Sequence, residues 1–184
     1  MGKTFNAIDA KLRGFIDQQK MFFVATAPLT PDGHINLSPK GLAGTFAIVD
    51  ERTIAYLDLT GSGVETIAHL RENARICVMF CAFEGPPRIV RVHGTGDVVE
   101  PNDEDFARLR AHFDDYSGVR SIIRVRADRI SDSCGYGVPL YDYKGERDQL
   151  QRWADRKGED GVAQYRRDNN AESLDGLPSL LGDH

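Results

Sequence analysis

No apolar run in this chain approaches the ~18 residues that a membrane-spanning helix requires, and the opening Met1-Gly2-Lys3-Thr4-Phe5-Asn6 has nothing of a secretory signal. The cytoplasm is therefore the expected location, with no membrane partner. Cysteine is scarce. Cys77, Cys81 and Cys134 form an odd set without a Cys-x-x-Cys pair, which argues against a zinc knuckle or a dithiol redox motif. The five histidines are scattered, with no two at metal-ligand spacing, so no metal site is expected. Positive charge is also short: 23 Lys and Arg stand against 28 Asp and Glu, a formal net charge of −5 that argues against a general nucleic-acid surface. Internal repeats and low-complexity tracts are absent. So is the Gly-x-Gly-x-x-Gly spacing of a dinucleotide fold, because Thr66 stands where its third glycine belongs.

What remains is an ordinary globular composition, 41% hydrophobic and 28% charged over 184 residues, sufficient for one domain with a core. A single domain over residues 1–184 is expected, with its core at 20–130 and a C-terminal loop and helix extension at 132–184. Ile8, Leu12, Phe15 and Ile16 recur at helical spacing and predict an amphipathic opening helix within Asn6–Gln19. The aromatic and β-branched run Met21–Ala27, the turn Pro31-Asp32-Gly33 and the alternating His34–Ser38 predict a hairpin. Phe46–Val49 and Thr53–Leu59 predict a second one. Arg75–Phe83 reads as a buried strand with Cys77 and Cys81 on one face, and Arg88–Val99 as a long strand bent or bulged at Gly94 and Gly96. A helix starting at Pro101–Glu104, with Phe106, Leu109 and Phe113 on one face, precedes the alternating Ser121–Ala127. From Cys134 the character changes to a tyrosine-bearing loop, polar helical stretches around Leu150–Trp153 and Val162–Tyr165, and a final Ser173-Leu174-Asp175-Gly176-Leu177-Pro178. Strands joined mainly by hairpins predict a mainly β, antiparallel barrel or sandwich of six to seven strands with peripheral helices.

The chemistry concentrates in Thr60-Gly61-Ser62-Gly63-Val64-Glu65-Thr66, where a strand ends in small residues and a helix begins. Glycines let the backbone approach an anion, and the unpaired N–H groups of a helix start supply donors backed by its dipole. The same segment also reads as a plain strand-to-helix turn with a Ser or Thr cap.

Taken in order, Phe23–Ala27, Asp32–Gly41, Tyr56-Leu57-Asp58, Gly61–Leu70 and Glu72–Arg75 resemble the pyridoxamine 5′-phosphate oxidase-like family of FMN-binding split barrels over residues 20–130. The resemblance implies an antiparallel split β-barrel and a homodimer with FMN at the subunit interface. It implies cofactor contacts from Ser38, Pro39, Lys40, Asp58, Thr60, Gly61, Ser62, Gly63 and Thr66, with Lys40 and Arg91 supplying charge. The chain departs from the vitamin-B6 oxidases in two places. Val64-Glu65-Thr66 replaces their Ser-Arg-Lys cluster, and the C-terminal Arg-x-His that grips pyridoxamine phosphate is missing. A phosphate would be repelled by Glu65 unless that carboxylate points away or caps the helix. The function implied is an FMN-dependent oxidoreductase that moves electrons through flavin N5, served by a small-molecule substrate or a donor such as NAD(P)H, with no catalytic residue identifiable. The alternatives are a non-catalytic flavin- or haem-binding carrier and a reductase that uses deazaflavin F420.

Overall fold

In the computed structural model, which describes residues 2–180, the period-two alternation of the sequence becomes strands. The order is β1 (Thr4–Phe5), α1 (Ala10–Gln18), β2 (Met21–Thr26), β3 (Asn36–Gly41), β4 (Phe46–Ile48), β5 (Thr53–Leu59), α2 (Glu65–Asn73), β6 (Arg75–Cys81), β7 (Ile89–Val99), α3 (Phe106–Arg110), β8 (Val119–Ser133) and α4 (Gln149–Asn169). The strands form one curled antiparallel sheet in the order β3-β2-β6-β7-β8-β5-β4, with the short β1 added alongside β8. The architecture is mainly β and of the split-barrel type. No helix among the described residues is long and apolar enough to cross a membrane.

The concave face carries the core. Phe22, Tyr56 and Phe80 meet there with ring centroids 5.4 and 5.7 Å apart, surrounded by Val24, Ile54, Val78, Val92 and Ile130. Each such buried side chain contributes about 2 kcal/mol relative to exposure. Helix α1 covers one side through Leu12 and Ile16, and it begins at Ala10 because the Asp9 carboxylate accepts the Leu12 N–H at 2.8 Å. On the opposite face of β5 and β8, Leu109 and Phe113 pack against Ala55, Leu57 and Ile122.

Curvature has a local cause. The β7–β8 register shifts between His93 and Gly94, and a Cβ on Gly94 would lie 2.1 Å from the Arg126 carbonyl oxygen, so only glycine permits this approach. The observed elements differ from the expectation at several ends. Strand β8 runs well beyond Ser121–Ala127, α2 starts at Glu65 because Val64, at φ −137 and ψ 10, is not helical, and the two polar helical stretches merge into α4 across a kink at Gly158. Two-residue β1 is too short to leave a periodic signal.

Candidate functional site

A cavity of about 230 Å³ opens where β3, the end of β5 and the start of α2 converge. Ser38, Pro39, Lys40, Asp58, Gly61, Gly63 and Thr66 line it, together with Asn36, Glu65 and Arg120. Three residues expected at the cofactor lie elsewhere. Ser62 is exposed outside the cavity, while Thr60 is buried on the other side of the loop, donating to the Gly118 carbonyl at 2.8 Å and accepting from Arg166 Nε at 2.9 Å. The reason is a register shift between Asp58 and Leu59, which reverses the alternation that would have put Thr60 beside Asp58. Arg91 projects from the outer face of β7 and donates to Ser133 Oγ at 3.2 Å.

Asp58 and Arg120 form the floor. Both are almost wholly buried, with Arg120 Nε 2.7 Å from one carboxylate oxygen and Lys40 Nζ 3.5 Å from the other. Burial pushes the Asp58 carboxyl up, but the Arg120 and Lys40 charges outweigh it, and the group is held below its usual range. Asp58 therefore stays ionised and works as a counter-charge that fixes two cations in one cleft. Arg120 also donates to Asn170 Oδ1 at 2.8 Å and to the Gly63 carbonyl at 3.1 Å. Behind the loop stands Arg166, which donates to the Thr60 hydroxyl and the Val119 carbonyl; burial and the neighbouring Arg120 cation lower its pKa. The charged groups at the floor thus sum to an excess of positive charge. Arg120 and its partner Asn170 escaped sequence reading because Arg120 precedes the alternating Ser121–Ala127 and no local pattern marks either residue as buried.

The hydroxyls are ordered by Asn36. Its amide nitrogen donates to Thr26 Oγ1 at 3.1 Å and to Thr66 Oγ1 at 3.0 Å, and its oxygen accepts from the Ser38 hydroxyl at 2.8 Å. Ser38 has thereby spent its proton, whereas the Thr66 hydroxyl accepts from Asn36 and stands beside Tyr56. Thr26 in turn meets Nδ1 of the buried His69 at 2.9 Å. Tyr56 Oη lies completely buried beside Thr66 and Asp58 without a well-formed hydrogen bond, and burial followed by the Asp58 charge drives its pKa well up.

Does this set suit a phosphate? Val64 holds the N-cap position of α2 with no side-chain hydrogen bond, so the first-turn N–H groups are uncapped. Glu65 is turned to other use, since its Oε1 accepts the Leu174 N–H at 3.3 Å. Its other oxygen, Oε2, lies over Gly63, where a Cβ would meet it at 2.6 Å, so only glycine admits the carboxylate there. Two cations, the Thr66 hydroxyl and an uncapped helix start outweigh the Glu65 carboxylate in the lining and fit a phosphate. The tyrosines of the C-terminal loop stand away from this cleft, Tyr136 at 82% and Tyr141 at 62% exposure, while Trp153 packs edge-on against Tyr165 at 4.9 Å.

Comparison with known proteins now has a geometry to meet. The sequence profile of the family described as pyridoxamine 5′-phosphate oxidase matches residues 8–134. A pyridoxamine 5′-phosphate oxidase family protein of Aspergillus flavus, ustO, is 39% identical over 194 residues, covering 96% of this chain and 77% of its own. Among solved structures, HupZ of Group A Streptococcus aligns with 67% of this chain and 91% of its own at 19% identity and a TM-score of 0.51. A FAD-binding protein of Mesorhizobium loti aligns with 72% of this chain and 96% of its own at 16% identity and a TM-score of 0.51. The two structures support the fold, and the profile with the fungal relative settles the lineage: the chain belongs to the pyridoxamine 5′-phosphate oxidase family.

Proposed function

We propose that the cleft holds FMN by its phosphate and that the protein is an FMN-dependent oxidoreductase distinct from the vitamin-B6 oxidases. The observation that carries this reading is the meeting of Lys40, Arg120, Thr66 and the uncapped start of α2 in one cavity. Bound there, FMN supplies a ring that accepts or passes on electrons at N5. Lys40 and Arg120 neutralise the phosphate, Thr66 and the first N–H groups of α2 donate to it, and Asp58 holds the two cations in place. Thr60 and Ser62 support the loop rather than touch the ligand. At about 230 Å³ the cavity is smaller than the ~300–1,000 Å³ of a whole small-molecule site, so it takes the phosphate end and leaves the ring outside.

That ring needs a second wall, and the outer face of the sheet offers one. Phe23, Met79 and Arg91 stand in register across β2, β6 and β7, next to the row Ala25, Cys77 and His93, all half-buried, while Ile35 and Leu37 are 78% and 65% exposed. An outward sheet face this apolar favours cover by a second copy, giving a homodimer in which Arg91 reaches the flavin across the interface. The test is a visible spectrum with added FMN, followed by anaerobic reduction with NADH and NADPH. A protein that stays colourless refutes the cofactor. A bound flavin that neither nucleotide reduces, and that no added electron acceptor reoxidises after reduction by dithionite, transfers the reading to a carrier, which the fully engaged Asp58 favours by leaving the floor without an acid to give up a proton. Competition with F420 separates the two flavin types.

A further inference from the structure

The C-terminal extension, outside the matched residues 8–134, returns to the cleft and touches it at several points. Asn170, just past the end of α4, is completely buried. Its side-chain oxygen accepts from Arg120 Nη1 at 2.8 Å and its nitrogen donates to the Gly61 carbonyl at 3.0 Å. The residue is itself fastened, because its N–H donates to the Arg166 carbonyl at 2.7 Å and its carbonyl accepts the Ser179 hydroxyl. Farther along, the Leu174 N–H occupies Glu65, and Asp175 accepts both the backbone N–H and the ring of His34 at 2.8 and 2.6 Å.

We propose that Asn170 is a positioning residue for the phosphate site, holding the Arg120 guanidinium at the cleft while it occupies the Gly61 carbonyl. The inference rests on the phosphate reading of that cavity. A neutral amide is the side chain of this length that accepts from a cation at one end and donates to a carbonyl at the other. Aspartate would satisfy Arg120 but set a second negative oxygen against the Gly61 carbonyl and cancel charge that a phosphate needs. Alanine would release both partners, leaving a buried guanidinium short of an acceptor and a loop carbonyl exposed to the anion. The tail thus stands in for the cationic cluster that the Val64-Glu65-Thr66 segment lacks: Asn170 supplies no charge of its own, but it aims one that strand β8 provides.

The experiment compares Asn170→Ala, Asn170→Asp and, as a control, Trp153→Ala, which removes the packing on Tyr165 within α4 without touching Asn170 or Arg120. Affinities for FMN and for riboflavin, which lacks the phosphate, are read by flavin fluorescence. Asn170→Ala should weaken FMN about tenfold, the effect of one hydrogen bond to a charged group, and Asn170→Asp by more, with riboflavin unchanged within about twofold. Trp153→Ala should lower the melting temperature and leave the FMN-to-riboflavin ratio as it was. Equal weakening of both flavins, or an unchanged ratio in both Asn170 variants, overturns the role. Should Asn170→Ala not fold, Asn170→Asp retains the Arg120 acceptor and carries the test. If the wild type takes up neither flavin, the cofactor reading fails by itself, and inorganic phosphate decides the rest through the amide NMR shifts of Gly61–Thr66. Phosphate bound about tenfold more tightly by the wild type than by the variants sustains the positioning role, and equal or absent binding ends it.

Discussion

Replacing Asp58 by Asn leaves the shape of the floor intact and removes the single negative charge between Arg120 and Lys40. With nitrogen to oxygen distances of 2.7 and 3.5 Å, the two attractions amount to about 6 and about 5 kcal/mol at an effective dielectric constant of ~20, before desolvation is charged against them. Breaking a buried pair by deleting one partner has a net cost of about 3–5 kcal/mol, because the surviving charges are stranded away from water. For 184 residues at ~2.1 cal/mol/K per residue, the unfolding entropy is about 0.4 kcal/mol/K, so the expected fall in melting temperature is about 8–13 °C. Differential scanning calorimetry measures it, in buffer with and without phosphate. The variant presents two cations lacking a counter-ion, so added phosphate should restore a larger part of its stability than it adds to the wild type. FMN should still bind. A melting point within about 2 °C of the wild type refutes the buried network, and loss of FMN with full stability would make Asp58 a ligand instead of a counter-charge.

Other outcomes follow from single features. Asp58 is held below its ordinary 3.8, so its contribution is complete above that value and is lost as acid carries the pH beneath it; Asp58→Asn should remove that acid-side slope from the melting curve. Burial, against the pull of Asp175, Glu65 and Glu72, keeps His69 below its ordinary 6.5, so the unfolded chain takes up the proton first and stability falls as pH drops below 6.5. A His69→Gln variant should show a shallower loss of melting temperature between about pH 7 and 5.5 than the wild type. Gly94→Ala forces a Cβ into the Arg126 carbonyl and should cost about 3 kcal/mol, read by urea unfolding. Phe23→Asp on the outer sheet face should shift the light-scattering mass from twice 20.5 kDa to that of one chain and weaken FMN with it.

The β-rich order of elements was legible wherever alternation or a turn left a local mark. The hairpin of β2 and β3 showed in Pro31-Asp32-Gly33, and the bend in β7 showed in Gly94. The cleft was legible in part. Lys40, Asp58 and Thr66 line one cavity, which the family resemblance implied, because strand ends and a helix start place them without help from distant segments. Thr60 was not legible, since the register shift after Asp58 depends on how β5 lies against β8, which no property of the loop records. Arg120 and Asn170 were hidden for a different reason: their burial is created by partners 62 and 50 positions away, and no pattern within a window of a dozen residues distinguishes such an arginine from an exposed one.

The place of β8 in the sheet bears on how the chain comes to be folded at all. Strands β3, β2, β6 and β7 pair among themselves, and β5 pairs with β4; among the described residues only β8 joins the two groups, spanning residues 119–133 and accepting β1 as well. During synthesis the first hundred or so residues therefore emerge as two unconnected ribbons, each with an open edge, and the clasp arrives late. The Asp58 carboxylate waits through that interval without Arg120, which comes with the clasp, and the tail that positions the guanidinium leaves the ribosome later still. Closure of the sheet and the pairing of Asp58 with Arg120 thus depend on the same segment.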